Sequence, residues 1–105
     1  MKRNINPLKK IVSLMELKTH VQELIYNEKY TISWNHIKQQ HPNITEQEIL
    51  NGLIYGLYKP DKSVEGRYIS WSRFTSPVRL IRIVFEIRGT SNNEIVHVIT
   101  AFDED

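Results

Sequence analysis

Three consecutive runs with the composition of β-strands constrain the fold of this chain most. They occupy residues 67–74, 78–88 and 94–102, and each is rich in β-branched and aromatic residues. The segments between them, 75–77 and 89–93, have lengths typical of hairpin connections. Because strands joined by such short segments pair antiparallel, the sequence predicts a three-stranded antiparallel meander.

A long amphipathic helix is predicted at the start of the chain. Apolar residues recur there with helical spacing up to about Glu28. Asn6-Pro7 has the pattern of an N-cap followed by proline at the first helical position. The capping-box pattern Ser13-x-x-Glu16 would instead start the main helix at residue 14. Both starts give one helix of three to five turns.

Shorter elements follow this helix. Apolar and polar residues alternate at 30–34, which indicates a very short strand. A short helix is expected at 34–40, before a His-Pro pair that would end it. The capping box at 45–48 opens a third helix. Residues 59–66 contain proline, aspartate and glycine and indicate a loop.

The order of these elements predicts an α+β fold in a single domain, which suits a length of 105 residues. We expect N-terminal amphipathic helices to pack on one face of a three- to four-stranded antiparallel sheet, because each needs the other to bury its apolar side. The domain would comprise an N-terminal helix (1–28), short helices (30–56) and the β-meander (67–102).

Symmetric closure of the two hairpins predicts which side chains share a face. It pairs Trp71 with Ile81 in the first hairpin and Phe85 with His97 in the second. This register places Ile69, Trp71 and His97 on the core face, where a structural histidine is expected rather than a catalytic one. The opposite, open face then carries a polar group, composed of Tyr68, Ser70, Ser72, Arg82, Glu86 and Thr100.

The net charge of +2 hides an uneven distribution of arginine. Five of the six arginines lie between residues 67 and 88, a window without lysine. Arginine suits phosphate and carboxylate ligands because its guanidinium offers a planar fork of donors. The cluster therefore predicts a phosphate-bearing or acidic ligand, although charge that keeps exposed strand edges soluble would look the same. The predicted nucleic-acid-binding residues are Arg67, Ser70, Arg73, Arg79, Arg88 and Thr100.

The open face also supplies groups for metal-independent cleavage of RNA. Such cleavage needs a base for the ribose 2′-hydroxyl, an acid for the leaving oxygen and cations near the phosphate. The predicted catalytic residues are Arg82, Glu86, Tyr68 and His36. The chain has no cysteine and no metal or phosphate-loop motif, so no metal ion or cofactor is predicted.

Two parts of the chain carry patterns of a known protein group. The first consists of ISWNHIK at 32–38 and NITEQEI at 43–49, which look like the opening pattern W…K…H-G-I-S-x-E-E. The second consists of GRY at 66–68, IRIVF at 81–85 and IVHVITA at 95–101, which look like the sheet pattern R…R-x-L-x-V-V-Y…I-R-I-I-S-A. In both parts the chain resembles the RelE/BrnT-like ribonuclease toxins and their small uncharacterised relatives, within the barnase–EndoU–colicin–RelE group.

This resemblance covers about residues 30 to 102 and implies a RelE/BrnT-like fold. It implies a toxin-like, metal-independent endoribonuclease of a toxin–antitoxin or phage-related system. By position, Arg67 and Arg82 match arginines of the family pattern. RNA and a cognate antitoxin that covers the arginine face are the implied partners.

Two alternatives stay open. A non-catalytic RNA- or protein-binding module of the same fold agrees with the acidic residues 103–105 and the modest net charge. A structural domain could also oligomerise, for example as a dimer, through its N-terminal helix. The chain has neither a long apolar run nor the pattern of a secretory signal, so we expect a cytoplasmic protein without membrane contact.

Overall fold

The computed structural model describes residues 7–75 and 78–103, and the predicted α+β class is confirmed there. The predicted N-cap Asn6, the connection 76–77 and the acidic residues 104–105 lie outside the described residues. The elements of the described chain are α1 (Pro7–Tyr26), β1 (Tyr30–Ile32), α2 (Trp34–Gln40), α3 (Glu46–Tyr55), β2 (Leu57–Pro60), β3 (Arg67–Thr75), β4 (Val78–Arg88) and β5 (Ile95–Asp103).

The strands form one mixed sheet with the order β1-β5-β4-β3-β2. Strands β2 to β5 pair antiparallel, whereas β1 pairs parallel to β5. With five strands in the described chain, the sheet is larger than the predicted three to four. Strand β2 includes Lys59 and Pro60, so the loop that the sequence predicts at 59–66 begins later, after Pro60. Proline is tolerated there because β2 is an edge strand.

The helices and one face of the sheet enclose a single apolar core. Strand β4 supplies alternate side chains, Ile81, Ile83 and Phe85, each fully buried, as the two-residue repeat of a strand requires. The helical side of this core consists of Val21, Leu24 and Ile25 of α1, Ile37 of α2, and Ile49 and Leu53 of α3.

Helix α3 is capped as predicted and lies very close to the sheet. The Thr45 hydroxyl accepts a hydrogen bond from the Glu48 N–H at 3.2 Å, and the Glu48 carboxylate accepts one from the Thr45 N–H at 2.9 Å. At Gly52, an added Cβ would lie 2.4 Å from Ile83 Cδ1 and 3.4 Å from Ser72 Oγ. The glycine therefore permits an approach that a larger residue would prevent.

The predicted strand register is wrong by one residue in the first hairpin and in the part of the second hairpin next to its loop. Trp71 pairs with Arg82, and Phe85 pairs with Val98. Because a one-residue shift reverses the side-chain faces of a strand, Trp71 and Ile69 lie on the open face, as does His97. The same shift places Tyr68, Ser70, Ser72, Val96 and Val98 on the core face.

An irregularity in β5 limits this reversal. The register between β4 and β5 shifts between Val84 and Phe85, as in a β-bulge. Beyond the shift, Thr100 pairs with Val84 and Phe102 pairs with Arg82, so both lie on the open face. The predicted faces of these two residues are therefore confirmed, as is that of Arg82.

Candidate functional site

The open face is the side of the sheet opposite the helices. In the described part of the chain no helix packs on it, and none of its strand side chains is buried. The register arranges its central part in three rows that run across the strands, about 7 Å apart, with Arg73 and Arg88 just beyond them. The rows are an aromatic row (Leu57, Trp71, Arg82, Phe102), a middle row (Lys59, Ile69, Val84, Thr100) and a polar row (Arg67, Glu86, His97, Thr31).

Glu86 is the carboxylate of the polar row. Arg88 Nε donates a hydrogen bond to its Oε2 at 2.5 Å, and an Arg67 terminal nitrogen lies 3.7 Å from its Oε1. The hydrogen bond from Arg88 lowers the pKa of Glu86; partial burial opposes this effect, and the charges of both arginines add to it. Glu86 is therefore ionised at neutral pH.

His97 is the direct cross-strand partner of Glu86. Its Nδ1 lies 2.7 Å from Thr31 Oγ1 and its Nε2 lies 3.2 Å from Ser33 Oγ, so two hydroxyls orient the ring. Burial, together with the charge of Arg88, lowers the pKa of His97 below the usual 6.5, while Glu86 acts in the opposite direction. The polar row thus places an ionised carboxylate beside an imidazole that is mainly neutral at pH 7.

Trp71 is the centre of the aromatic row. Lys59 Nζ lies 5.4 Å from the centroid of its ring, and the guanidinium carbon of Arg82 lies 5.8 Å from it. Both distances are within the range of cation–π attraction. Leu57, the β2 partner of Trp71, keeps 63 % of its surface exposed.

A pocket of about 500 Å³ opens at this end of the sheet. It lies where the end of α3 meets β2 and β3. Its lining consists of Tyr55, Gly56, Leu57, Trp71, Ser72, Arg73, Leu80 and Arg82.

Arg79 lies elsewhere and has a structural role. Its Nε donates a hydrogen bond to Asp103 Oδ2 at 2.8 Å, and a terminal nitrogen lies 2.5 Å from Glu48 Oε2. Only 14 % of its side chain is exposed. Arg79 therefore joins the start of α3 to the end of β5 and does not lie on the open face, so its assignment to nucleic-acid binding is corrected.

Tyr68 and Ser70 face the core, contrary to the predicted register. The ring of Tyr68 lies 5.9 Å from that of Phe85, and Ser70 is fully buried. Neither residue shares a face with Arg82 and Glu86, so they cannot form the predicted group. His36 lies on α2, beside Trp34, rather than on the sheet.

The other predicted residues fall into two groups on the open face. Arg67 and Arg88 surround Glu86 at one end, while Arg82 and Arg73 line the pocket at the other. Thr100 lies in the middle row, between them.

Sequence reasoning missed His97 and Trp71 as residues of this face. In β3 and β5 both alternating sets contain apolar residues, so hydrophobicity did not select the register. Side-chain size could have indicated the correct face of β3. A helix that packs close to the sheet favours small residues such as Ser70 and Ser72 beneath it, which places Trp71 on the open face.

Among the described residues, no group of three or more His, Cys, Asp or Glu side chains is placed to hold a metal ion. No described helix is both long enough and apolar enough to span a membrane. No protein-family model, curated protein or solved structure matches this chain.

Proposed function

We propose that the open face binds single-stranded RNA and that the polar row cleaves it without a metal ion. The protein would be a toxin-like endoribonuclease with a RelE/BrnT-like fold, acting in the cytoplasm. The observation that carries this proposal is the pairing of Glu86 with His97 between two arginines on a sheet face that no described helix covers. A cognate antitoxin rich in acidic residues would neutralise the protein by covering the same face.

The charge of the open face supports RNA as the ligand. Its described strand side chains include one carboxylate, Glu86, and five cations, which are Lys59, Arg67, Arg73, Arg82 and Arg88. Each phosphate contact releases counterions. The logarithm of the RNA-binding constant should therefore fall linearly as the logarithm of the salt concentration rises, with a slope of about −2 to −3.5 for three to five contacts on a single strand. Trp71 adds an aromatic ring on which a base can stack.

The polar row contains the groups that cleavage requires. The Glu86 carboxylate would take the proton of the ribose 2′-hydroxyl, and the resulting oxyanion would attack the adjacent phosphorus. The P–O5′ bond breaks, and protonated His97 would give its proton to the departing 5′-oxygen. Arg67 and Arg88 would exchange their contacts with Glu86 for the phosphate oxygens and stabilise the added negative charge. The products are a 2′,3′-cyclic phosphate and a 5′-hydroxyl.

Cleavage of single-stranded RNA in the presence of EDTA tests this proposal. We expect the purified protein to produce 2′,3′-cyclic phosphate ends, and Glu86→Gln and His97→Asn each to lower the rate about 100- to 10,000-fold. Glu65→Gln, in an exposed loop, is the matched control and should keep the full rate. Undiminished cleavage by both polar-row variants, or no cleavage by the unaltered protein, would refute the assignment.

A non-catalytic RNA-binding module is the second candidate. One observation favours it: the Glu86 carboxylate is engaged by arginines, and both His97 nitrogens lie within hydrogen-bond distance of hydroxyls. If these contacts persist in the complex, neither group can transfer a proton. RNA binding that weakens with salt, without cleavage of the bound strand, would favour this candidate.

A further inference from the structure

The pocket beside Trp71 is separate from the polar row. Arg82 of the aromatic row and Glu86 of the polar row are four residues apart on β4, which corresponds to about 13–14 Å. A ligand in the pocket would therefore not contact the bond that the polar row is proposed to cleave. The pocket needs an explanation of its own.

Its size and lining favour a flat, partly apolar ligand. The volume of about 500 Å³ is typical of small-molecule sites. Tyr55 and Leu57 keep 72 % and 63 % of their surfaces exposed, which leaves a large apolar area in contact with water. Together with Trp71, they give the pocket lining two aromatic side chains and one exposed aliphatic side chain.

The charges around the pocket favour a ligand that also carries negative charge. Arg73 and Arg82 line it, and Lys59 lies over the Trp71 ring from the neighbouring row. None of the described pocket-lining residues is acidic. An aromatic ring joined to a phosphate satisfies both requirements, because the ring can contact the apolar part of the lining while the phosphate contacts the cations.

We propose that this pocket is a nucleobase subsite. One base of a single strand stacks on Trp71 in the place that Lys59 occupies without ligand, and Tyr55 packs at the edge of the base. Lys59 moves off the ring and, with Arg73, contacts the flanking phosphates. This inference rests on the proposed binding of single-stranded RNA. It adds that the protein holds a base at a distance from the cleaved bond, so that base recognition and cleavage occupy opposite ends of one face.

Intrinsic fluorescence can test the stacking because the chain has two tryptophans. Trp34→Phe leaves Trp71 as the emitter, and Trp71→Phe leaves Trp34, which lies on α2 beside Lys38. The probe is a short single-stranded oligothymidylate, which cannot be cleaved because it has no 2′-hydroxyl. We expect it to quench the emission of Trp34→Phe but not that of Trp71→Phe, with circular dichroism confirming that both variants are folded.

An abasic strand of equal length and charge separates stacking from phosphate contacts. It should bind the unaltered protein about 5- to 150-fold more weakly than oligothymidylate, the effect of one stacked base. Tyr55→Ala should also weaken oligothymidylate binding. Tyr26→Ala should not, because Tyr26 is similarly exposed, at 68 %, but lies at the end of α1.

The outcomes distinguish the two proposals. Equal affinity for the two strands, or quenching of Trp34 alone, would overturn the base subsite while leaving salt-sensitive binding of single strands intact. If neither oligothymidylate, the abasic strand nor RNA binds, the proposed function itself fails.

Discussion

Replacing Arg79 with methionine should destabilise the protein without weakening its binding to RNA. The arginine fork contacts Glu48 at the start of α3 and Asp103 at the end of β5. Methionine fills a similar volume but carries no charge. It would leave two carboxylates close together, with 18 % and 25 % of their side chains exposed, and without the cation that lies between them.

The expected size of this effect follows from the two contacts. A hydrogen bond to a charged group contributes about 1.5–3 kcal/mol, and removing one partner of a buried pair costs about 3–5 kcal/mol. Because these groups keep some solvent contact, we expect the free energy of unfolding to fall by about 2–4 kcal/mol. For a domain of this size, that corresponds to a decrease in Tm of about 10–20 °C.

Thermal unfolding followed by circular dichroism measures this difference. Arg73→Met is the matched control, because Arg73 is an exposed arginine on the neighbouring strand and should change stability by no more than about 0.5 kcal/mol. Arg79→Lys should restore only part of the loss, since an ammonium cannot reproduce the planar fork. A Tm for Arg79→Met within about 2 °C of the unaltered protein would refute the structural role.

Three further predictions concern pH, burial and packing. Cleavage should be fastest below pH 6.5, because raising the pH through the lowered pKa of His97 removes the acid, whereas lowering the pH through the lowered pKa of Glu86 removes the base. A pH–rate profile for kcat/KM checks this prediction, and an optimum above pH 8 would contradict it. Ser70→Ala should raise the free energy of unfolding in urea titrations by about 1 kcal/mol, because the buried Ser70 hydroxyl has no hydrogen-bond partner among the described residues. The affinity for RNA should not change, and a lower affinity would show that Ser70 faces the ligand. Gly52→Val should lower the free energy of unfolding by about 1–3 kcal/mol, because its side chain would collide with Ile83. An unchanged free energy of unfolding in the same titration would mean that α3 can move away from the sheet.

Local sequence signals determined several elements well. The capping box fixes the start of α3, and α2 spans Trp34–Gln40 as predicted. In β4, isoleucine and phenylalanine occupy the core-facing positions, so its open-face residues Arg82 and Glu86 could be identified from the sequence. These features depend on interactions between residues near one another in the chain, which is why a sequence pattern suffices.

The neighbours of Arg82 and Glu86 were decided only by the tertiary structure. The alternation of residues in β3 allows Trp71 on either face of the sheet. Helix α3 approaches the sheet closely at Gly52, and the space beneath that glycine accommodates a serine but not a tryptophan, so Trp71 lies on the open face. Likewise, β1 pairs with β5 and brings Thr31 to His97, a contact between residues 66 positions apart. The sequence alone determined that this chain would present arginine and glutamate on a sheet; long-range packing decided that tryptophan and histidine would lie beside them.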